Sequence, residues 1–348
     1  MASFGSWLPP NNTTTTKRTQ IQSEPNAYAI TAHLLNAGAN VNIVAPVRAA
    51  PRGGLGAGPA QSGPVADDGL LECVANVSEG RDPAVLAALA EACGKCLLDV
   101  HSDADHNRSV LTLAGPPSKL VPAVHDLARC AVRLLDLRLH DGVHPRFGVL
   151  DVVPWVGLEG WPLRDASPGG PWEGAARGAR DTFAAWAATE LGLPAFLYGP
   201  ERGLPEVRRG AWGQLAPDLG PPAPHLTAGS VAVGWRPLMV AYNLWMVEGV
   251  GREQAMAIAR RLRSGEVRSL AFHVGASYQV SCNLLRPLER GPAEVWDEVA
   301  RCADIARAEV VGLVPQALLD VTPEVRWSKL GLRPDLAIEE RLVAANRR

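Results

Sequence analysis

The segment LLECVANVSEGRDPAVLAALAEAC, residues 70–93, is where a regular pattern of strand and helix begins in this chain. Its first seven residues form a short apolar run that is typical of a strand. Asp82 and Pro83 then predict the start of a helix, because Asp is a favoured N-cap residue and Pro is favoured at the first helical position. Apolar residues recur at helical spacing from there to Cys93, so the segment is predicted to be a strand followed by a helix.

The residues that follow complete a six-element pattern. A long helix with Ser118 as its expected N-cap separates the last strand from two earlier ones. The strands are CLLDV, SVLTLAG and FGVLDVVP, and the helix is PSKLVPAVHDLARCAVRLLDL. The resulting order, β-α-β-β-α-β, is that of a ferredoxin-like unit.

The second half of the chain repeats this order. Its predicted elements are SVAVG with PLMVAYN, GREQAMAIARRLR, VRSLAFHVG, YQVSCNLL, PAEVWDEVARCADIA and AEVVGLVP. We therefore predict an α+β fold with two ferredoxin-like (βαββαβ) subdomains in tandem and a ligand groove between them. The open faces of the two sheets need cover, from each other or from a second subunit.

The predicted domain boundaries follow from shifts in composition. Residues 1–69 are rich in polar, Gly, Pro and Ala residues and are predicted to be a disordered extension. The N-terminal subdomain is placed at 70–228 and the C-terminal subdomain at 229–322. A tail at 323–348 is expected to end in a helix.

Composition excludes several classes of function. The net charge of −2 and the lack of a basic stripe argue against a nucleic-acid partner, and no apolar run is long enough to span a membrane. Six cysteines in 348 residues predict reduced thiols in a cytoplasmic protein rather than a disulfide framework. The single CxxC pair, Cys93 and Cys96, lacks the further ligands that a structural zinc needs, so no metal is expected there.

Three polar clusters are expected to meet at the ends of the first predicted sheet. They are NVSEGRD (76–82), HSDADHNRS (101–109) and HDGVHPR (140–146), and each lies in a loop at a strand end, where binding groups are common. Asn107 and Arg108 of the second cluster are candidates for binding a carboxylate or amide. A role for Asn107 in the turn itself remains open.

His144 is the candidate catalytic residue of the third cluster. The spacing of His140 and His144 would suit zinc on a helix, but Gly142 and Pro145 predict a turn, so a metal site is not favoured. The ordinary pKa of histidine allows His144 to exchange a proton near neutral pH, which suits a general acid or base; a surface histidine in a turn is the alternative.

Arg146 lies two residues further on and is expected on the same side of an extended chain as His144. It is a candidate for clamping a substrate carboxylate, and an ion pair with Asp151 or Asp103 is the alternative.

The proline-rich stretch DLGPPAPHLTAG, residues 218–229, admits two interpretations. It is either the linker between the two subdomains, which its composition favours, or a preformed wall against a flat ring, with His225 and Thr227 as polar edges.

Eight blocks of sequence, taken in order, resemble the glutamate formimidoyltransferase family. They are ECVANVSEGRD, LLDV…HNRSVLTLAG, HDGVHPRFGVLDVVP, FLYG, PDLG…TAG, VAYNL, QVSCNL and VVGLVP, and they cover about residues 70–322. The resemblance implies two ferredoxin-like subdomains, a homodimer and transfer of a formimino group from N-formiminoglutamate to N5 of tetrahydrofolate as co-substrate. It also implies that His144 is catalytic and that the proline-rich stretch binds folate. The folate-binding residues would be Gly220, Pro221, His225, Thr227, Ala228 and Gly229.

Some positions depart from the family pattern. His101 stands where the animal enzymes have an acidic residue, and SCNL replaces STNL. Three rival functions remain open: a folate- or pterin-binding homologue without transferase activity, a metal-dependent hydrolase using His140, His144 and Asp103, and a purely structural pair of domains. Whether the donor carries a formimino or a formyl group also stays open.

Overall fold

A computed structural model describes residues 70–160, 163–165 and 169–346. The predicted disordered extension, residues 1–69, lies outside the described residues. Within the described part of the chain, no helix is long and apolar enough to cross a membrane.

The described chain contains two successive series of strands and helices, followed by a helical tail. The first series is β1 (Leu70–Val77), α1 (Pro83–Ala92), β2 (Leu97–Asp103), β3 (Arg108–Gly115), α2 (Pro117–Leu134), β4 (Leu150–Glu159), β5 (Arg164–Asp165), α3 (Pro171–Glu190), β6 (Ala195–Tyr198), α4 (Leu204–Gly210) and β7 (Val231–Trp235). The second is β8 (Val240–Met246), α5 (Arg252–Leu262), β9 (Val267–Val274), β10 (Ser277–Leu284), α6 (Pro292–Ala300) and β11 (Ile305–Val311). The chain then continues with α7 (Gln316–Val321), α8 (Trp327–Leu330) and α9 (Ile338–Asn346), of which α8 and α9 lie in the predicted tail, residues 323–348.

The fold is a mixed α+β arrangement with two sheets. Strands of the first sheet run in the order β2-β3-β1-β4-β7-β6, with β5 paired to β4. The neighbours among β2, β3, β1 and β4 are antiparallel. The second sheet has the order β11-β8-β10-β9, and all of its neighbours are antiparallel.

Strand β7 belongs to the first sheet, where it lies parallel to β4 on one side and to β6 on the other. From the sequence this stretch, SVAVG, is predicted to start the second unit, and that prediction is wrong. The helix α3 and the strands β6 and β7 thus extend the first sheet by a parallel pair. A short, fully buried strand carries no signal in its sequence that tells which of two sheets it joins.

The first two helices both begin at a proline, but only the first is capped by a side chain. The Asp82 side chain accepts hydrogen bonds from the backbone N–H groups of Ala84 and Val85, as predicted for an N-cap. Helix α2 instead begins at Pro117 with Pro116 at the N-cap position, so the predicted cap, Ser118, lies inside the first turn.

Helices cover one face of the first sheet. Alternate residues of β1 (Leu71, Cys73, Ala75 and Val77) are fully buried in a cluster with Leu120 and Leu127 of α2 and Phe183 of α3. Because side chains alternate across a strand, Glu72, Val74 and Asn76 of β1 lie on the opposite face. That face is the one that carries the polar groups described below.

A second buried cluster joins the two sheets and the tail. It contains Leu98 of β2 and Val156 of β4 together with Tyr242 of β8 and Leu342 of α9. The carboxylate of Glu339 in α9 is 5% exposed and accepts hydrogen bonds from the backbone N–H of Leu163 at 2.7 Å and of Gln316 at 2.9 Å. The tail, which was expected to end in a helix, therefore packs against both series of strands.

Candidate active site

The three polar loops predicted from the sequence meet at one end of the first sheet. Asn107 connects them: its Oδ1 accepts from Gly80 N at 3.0 Å, and its Nδ2 donates to Asp141 O at 2.8 Å. His140 Nε2 lies 2.8 Å from the backbone O of Asn107. Asn107 has a φ of 46°, a left-handed conformation that asparagine tolerates better than most residues. Its side chain is therefore used to hold the loops together.

Two glycines allow the loops to approach this closely. A Cβ atom at Gly80 would lie 2.3 Å from the carbonyl O of Asp103, and one at Gly142 would lie 2.4 Å from the carbonyl O of His106. Neither backbone atom can move without shifting its whole loop. The HDGVHPR loop is thus held against the HNR segment by contacts that only glycine permits.

A buried carboxylate, Asp151, lies at the centre of the site. Between β1 and β4 the register shifts so that Asn76 pairs with Val152 and Val77 with Leu150, which makes Asp151 the extra residue of a β-bulge. Bulges redirect side chains, and here Asp151 is fully buried although its neighbours in β4 belong to the apolar core. Its Oδ1 accepts from Phe147 N at 2.9 Å.

Two arginines donate to the other oxygen of Asp151. Arg108 Nη1 lies 2.7 Å from Asp151 Oδ2, and Arg208 Nη2 of helix α4 lies 2.5 Å from the same atom. Asn76 Oδ1 fixes the far side of the Arg108 guanidinium. Burial alone would raise the pKa of Asp151, but the adjacent Arg208 and Arg108 charges and the Phe147 amide hold it below its ordinary value. Two guanidinium groups and one carboxylate leave one positive charge in excess.

His144 lies beside this cluster. Its Nδ1 is 3.1 Å from Arg108 Nη1 and 2.8 Å from the carbonyl O of Pro145. Burial, together with the positive charges of Arg108 and Arg208, holds the pKa of His144 well below its ordinary value. The imidazole is therefore neutral at neutral pH.

The neutral ring of His144 can satisfy only one of its two Nδ1 neighbours at a time. An arginine only donates and a carbonyl only accepts. When Nδ1 carries the proton it donates to Pro145, and Nε2 has the free lone pair; when Nδ1 accepts from Arg108, the proton is on Nε2. Nε2 can thus present either a base or an acid to a neighbouring molecule.

The side chain of His144 faces the second sheet. Its ring centroid lies 6.0 Å from that of Phe272 in β9 and 6.0 Å from that of His106. His106 in turn lies 5.7 Å from Phe272 and 3.1 Å, through Nε2, from Gln279 Oε1 of β10. We use the term crevice for the place where Arg108, His144 and His106 on the side of the first sheet meet Phe272 and Gln279 on the side of the second.

Arg146 has a different environment from the one expected. Its guanidinium donates to three backbone carbonyls of its own loop, those of Gly142, His144 and His140, at 3.1, 2.8 and 3.1 Å. These contacts stabilise the turn that carries His144. Arg208, and not Arg146, donates to Asp151, so the alternative in which Arg146 pairs with Asp151 is not the arrangement observed.

The proline-rich stretch is ordered by its own hydrogen bonds. His225 and Gly229 exchange both backbone hydrogen bonds, and His225 Nδ1 accepts from the N–H groups of Thr227 and Ala228. Ala228 O and Thr227 O accept from Val149 N and Leu137 N, which places the turn against the start of β4. Gly220 and Gly229 both have positive φ. Pro221 is partly exposed, as are the side chains of His225 and Thr227.

His101 contacts the second sheet rather than the loops. Its Nε2 lies 2.7 Å from Glu309 Oε1 of β11, and Glu309 also accepts from Trp245 Nε1 and Arg307 Nη1. Burial favours the neutral form of Glu309, but the contact with His101 and the other two donors lower its pKa to about 2. The position at which this chain departs from the animal pattern thus connects β2 to β11.

The rival metal site has no support from the arrangement of ligands. Among the described residues, no three His, Cys, Asp or Glu side chains come together as a metal-binding group. His140 Nε2 is engaged by Asn107, and the six cysteines are free.

Sequence reasoning missed Arg208, Phe272, His106 and Gln279 as parts of the site. Arg208 follows His144 by 64 positions and belongs to a short helix with no catalytic pattern. Phe272 and Gln279 reach the crevice only because the two sheets face each other. For Arg208, the only signal in the sequence is the pair Arg208–Arg209, and this pair does not show which of the two arginines points inward.

Comparison with known proteins shows the family of this chain. Residues 70–236 match the family model described as the N-terminal subdomain of the formiminotransferase domain. The glutamate formimidoyltransferase of Thermoplasma acidophilum is 35% identical over 287 residues, which cover 72% of this chain and 90% of the relative. The enzyme of that name from Streptococcus pyogenes is 32% identical over 289 residues and is covered to 91%.

Longer relatives match over the same part of the chain. The formimidoyltransferase-cyclodeaminase of Sus scrofa is 33% identical over 289 residues, which cover 72% of this chain and 51% of the relative. The chain thus spans about half the length of these relatives. It belongs to the glutamate formimidoyltransferase family, and with it to the transferases.

Proposed function

We propose that this protein transfers the formimino group of N-formiminoglutamate to N5 of tetrahydrofolate and releases glutamate and 5-formiminotetrahydrofolate. One observation carries the proposal: a neutral imidazole, His144, lies in a crevice between two sheets beside an arginine–carboxylate cluster with one excess positive charge. Both substrates carry carboxylates, so this charge attracts them. Family membership supports the type of reaction.

The chemistry needs one group that takes a proton and then returns it. N5 of the folate attacks the amidine carbon, and a C–N bond forms while a tetrahedral intermediate develops. The proton of N5 passes to Nε2 of His144; the bond to the glutamate nitrogen then breaks, and that nitrogen receives the same proton. Nδ1 keeps its own proton in both steps and donates it to the carbonyl O of Pro145, so Nε2 is free to take a proton and to return it.

The arginines bind and orient in this proposal. Arg208 is the more exposed of the two at the site, with 22% of its side chain accessible against 13% for Arg108. We therefore assign the contact with a donor carboxylate to Arg208 and a supporting role to Arg108, in place of the pair Arg108 and Arg146. Arg146 and Asn107 hold the loops in this proposal.

The folate is assigned to the crevice and the proline-rich turn. The aromatic ring of Phe272 offers a face for a flat ring system, and the hydrogen bonds within residues 225–229 preform the turn. Gly220, Pro221, His225, Thr227, Ala228 and Gly229 remain the proposed folate-binding residues.

The proposal also includes a ferredoxin-like topology for each unit, a homodimer and a cytoplasmic location. The strand orders β2-β3-β1-β4 and β11-β8-β10-β9 support two ferredoxin-like units, with the first unit extended to Trp235 by β7. A homodimer and a cytoplasmic location are further predictions; sedimentation analysis of the purified chain tests the first.

The decisive experiment is a steady-state transfer assay with tetrahydrofolate and N-formiminoglutamate. Replacing His144 with Ala is expected to lower kcat by about 10²- to 10⁴-fold and to leave folate affinity nearly unchanged. His273→Ala is the matched control, because that histidine is exposed on β9 and packs on Tyr278. Turnover of the His144→Ala variant at the wild-type rate would refute the assignment, and folate binding without turnover by the wild type would favour a binding protein.

A further inference from the structure

His106 is a second buried imidazole at the crevice, and the proposed mechanism does not use it. It is 7% exposed, and its ring packs edge-on against both His144 and Phe272. Its backbone N–H donates to Asp103 Oδ1 at 2.8 Å, which fixes the loop between β2 and β3. Its side chain is therefore held in place at the catalytic histidine.

The hydrogen bonding of His106 leaves one nitrogen without a partner. Nε2 lies 3.1 Å from Gln279 Oε1, and an amide oxygen only accepts, so Nε2 carries the proton of the neutral ring. Nδ1 is then an acceptor, and it is buried with no hydrogen-bond partner. The amide nitrogen of Gln279, a residue that is 1% exposed, is a buried donor that also has no partner.

An unpaired acceptor and an unpaired donor on two buried side chains that contact each other are costly unless a ligand pairs with both. The imino nitrogen of a formimino group, in its neutral form, has one N–H and one lone pair. A formyl oxygen has lone pairs only. A formimino nitrogen can therefore donate to the acceptor of His106 and accept from the donor of Gln279, whereas a formyl oxygen can only accept.

We propose that His106 Nδ1 and Gln279 Nε2 bind the imino nitrogen of the transferred group, and that His106 thereby selects a formimino donor over a formyl donor. The inference rests on the proposed function and adds the identity of the transferred group. The N–H of the substrate donates to His106, and its lone pair accepts from Gln279. With a formyl donor the lone pairs of oxygen and of Nδ1 face each other, and the buried acceptor stays unpaired.

The test compares kcat/KM for N-formiminoglutamate and N-formylglutamate at saturating tetrahydrofolate. The wild type is expected to prefer the formimino donor by roughly 10- to 100-fold, the usual penalty for an unpaired buried group. In His106→Gln the terminal amide takes the place of Nε2 and keeps the contact with Gln279, but the Nδ1 acceptor is lost. The preference should fall to within about threefold, because only the formimino rate drops.

Two further variants separate specificity from structure. His106→Asn keeps an acceptor at the position of Nδ1 and should retain the preference at reduced rates. Gln279→Met removes the acceptor that keeps the proton of His106 on Nε2, so Nδ1 can then carry the proton and donate to a formyl oxygen. The preference should therefore also fall in this variant, which covers the case in which His106→Gln does not fold. An equal loss with both donors in His106→Gln, an unchanged preference in both His106→Gln and Gln279→Met, or a wild type that prefers formyl would overturn this inference alone. A wild type that transfers neither group would overturn the proposed function as well.

Discussion

Arg208 Nη2 lies 2.5 Å from Asp151 Oδ2, so a helix that follows the first βαββαβ series by 45 residues donates to the extra residue of the bulge in β4. The same oxygen accepts from Arg108 at 2.7 Å. The carboxylate has no exposed surface, and its two partners are mostly buried. This arrangement sets both the charge of the site and the position of His144.

Asp151→Asn is expected to destabilise the fold by about 3–5 kcal/mol, because it leaves two buried guanidinium groups without a counter-charge. Urea unfolding followed by circular dichroism measures the loss. Asp126→Asn is the matched control: its pair with Arg129 is exposed, with side-chain accessibilities of 58% and 51%, and should contribute less than about 1 kcal/mol. Similar losses in the two variants would contradict the prediction.

The pH dependence of turnover should report the charge around His144. The pKa of His144 is lowered, so the ring stays unprotonated in the free protein below the ordinary histidine value of about 6.5. Because kcat/KM reports on the free protein, its loss with decreasing pH should occur below that value. A bound anionic donor offsets the arginine charges and raises the pKa of His144, so the acid limb of kcat should lie at higher pH. Arg208→Gln removes one positive charge and should move the kcat/KM limb upward. If the acid limb of the kcat/KM profile had the same midpoint in Arg208→Gln as in the wild type, the positive charge of Arg208 would not contribute to the lowered pKa of His144.

Gly142→Ala should destabilise the protein by about 1–3 kcal/mol and lower activity, because the new Cβ would lie 2.4 Å from the His106 carbonyl and displace the loop that carries His144. Gly178→Ala makes the same change inside helix α3, where a Cβ meets open space. That control should stabilise the protein by about 0.5–1 kcal/mol. Thermal unfolding measures the two changes, which should lower the stability in Gly142→Ala and raise it in Gly178→Ala. An unchanged stability in Gly142→Ala would refute the close packing of the loops.

Stability in acid should depend on Glu309. Its pKa is lowered to about 2 in the folded protein, whereas an unfolded Glu titrates near 4.3. The contact with His101 therefore stabilises the fold above the unfolded value and is lost as pH falls from there toward 2. Glu309→Gln keeps an acceptor for Trp245 but does not titrate, so its stability should fall less steeply over that range. Urea unfolding at a series of pH values measures the free energy of unfolding of both proteins. If it fell equally steeply with decreasing pH in the wild type and in Glu309→Gln, the prediction would be contradicted.

The sequence predicted most elements of the fold because their signals are local. The strand and helix at residues 70–92, capped by Asp82, are set by alternation, helical spacing and an N-cap within a few residues. The place of β7 could not be predicted in the same way. Val231–Trp235 is buried throughout, so its sequence fits either sheet, and the choice depends on the long connection through α3 and β6.

The candidate site was predicted in part for the same reason. His144, Arg108 and Asn107 belong to two short polar motifs, each only a few residues long, and the loops that carry them meet at one end of the sheet. Asp151 looks like one polar residue in an apolar strand, since a β-bulge leaves no mark in the sequence. Arg146 is predicted beside His144 on an extended chain, whereas the chain turns there and the Arg146 guanidinium donates to carbonyls of its own loop.

Glu339 makes the end of the described chain indispensable for the interior. Its two carboxylate oxygens each accept a backbone N–H, one from Leu163 and one from Gln316, at a place that water does not reach. A truncation ahead of α9 would strand both amides and uncover the leucines beneath them. Anyone shortening this protein for crystallography should therefore leave the C-terminal helix intact.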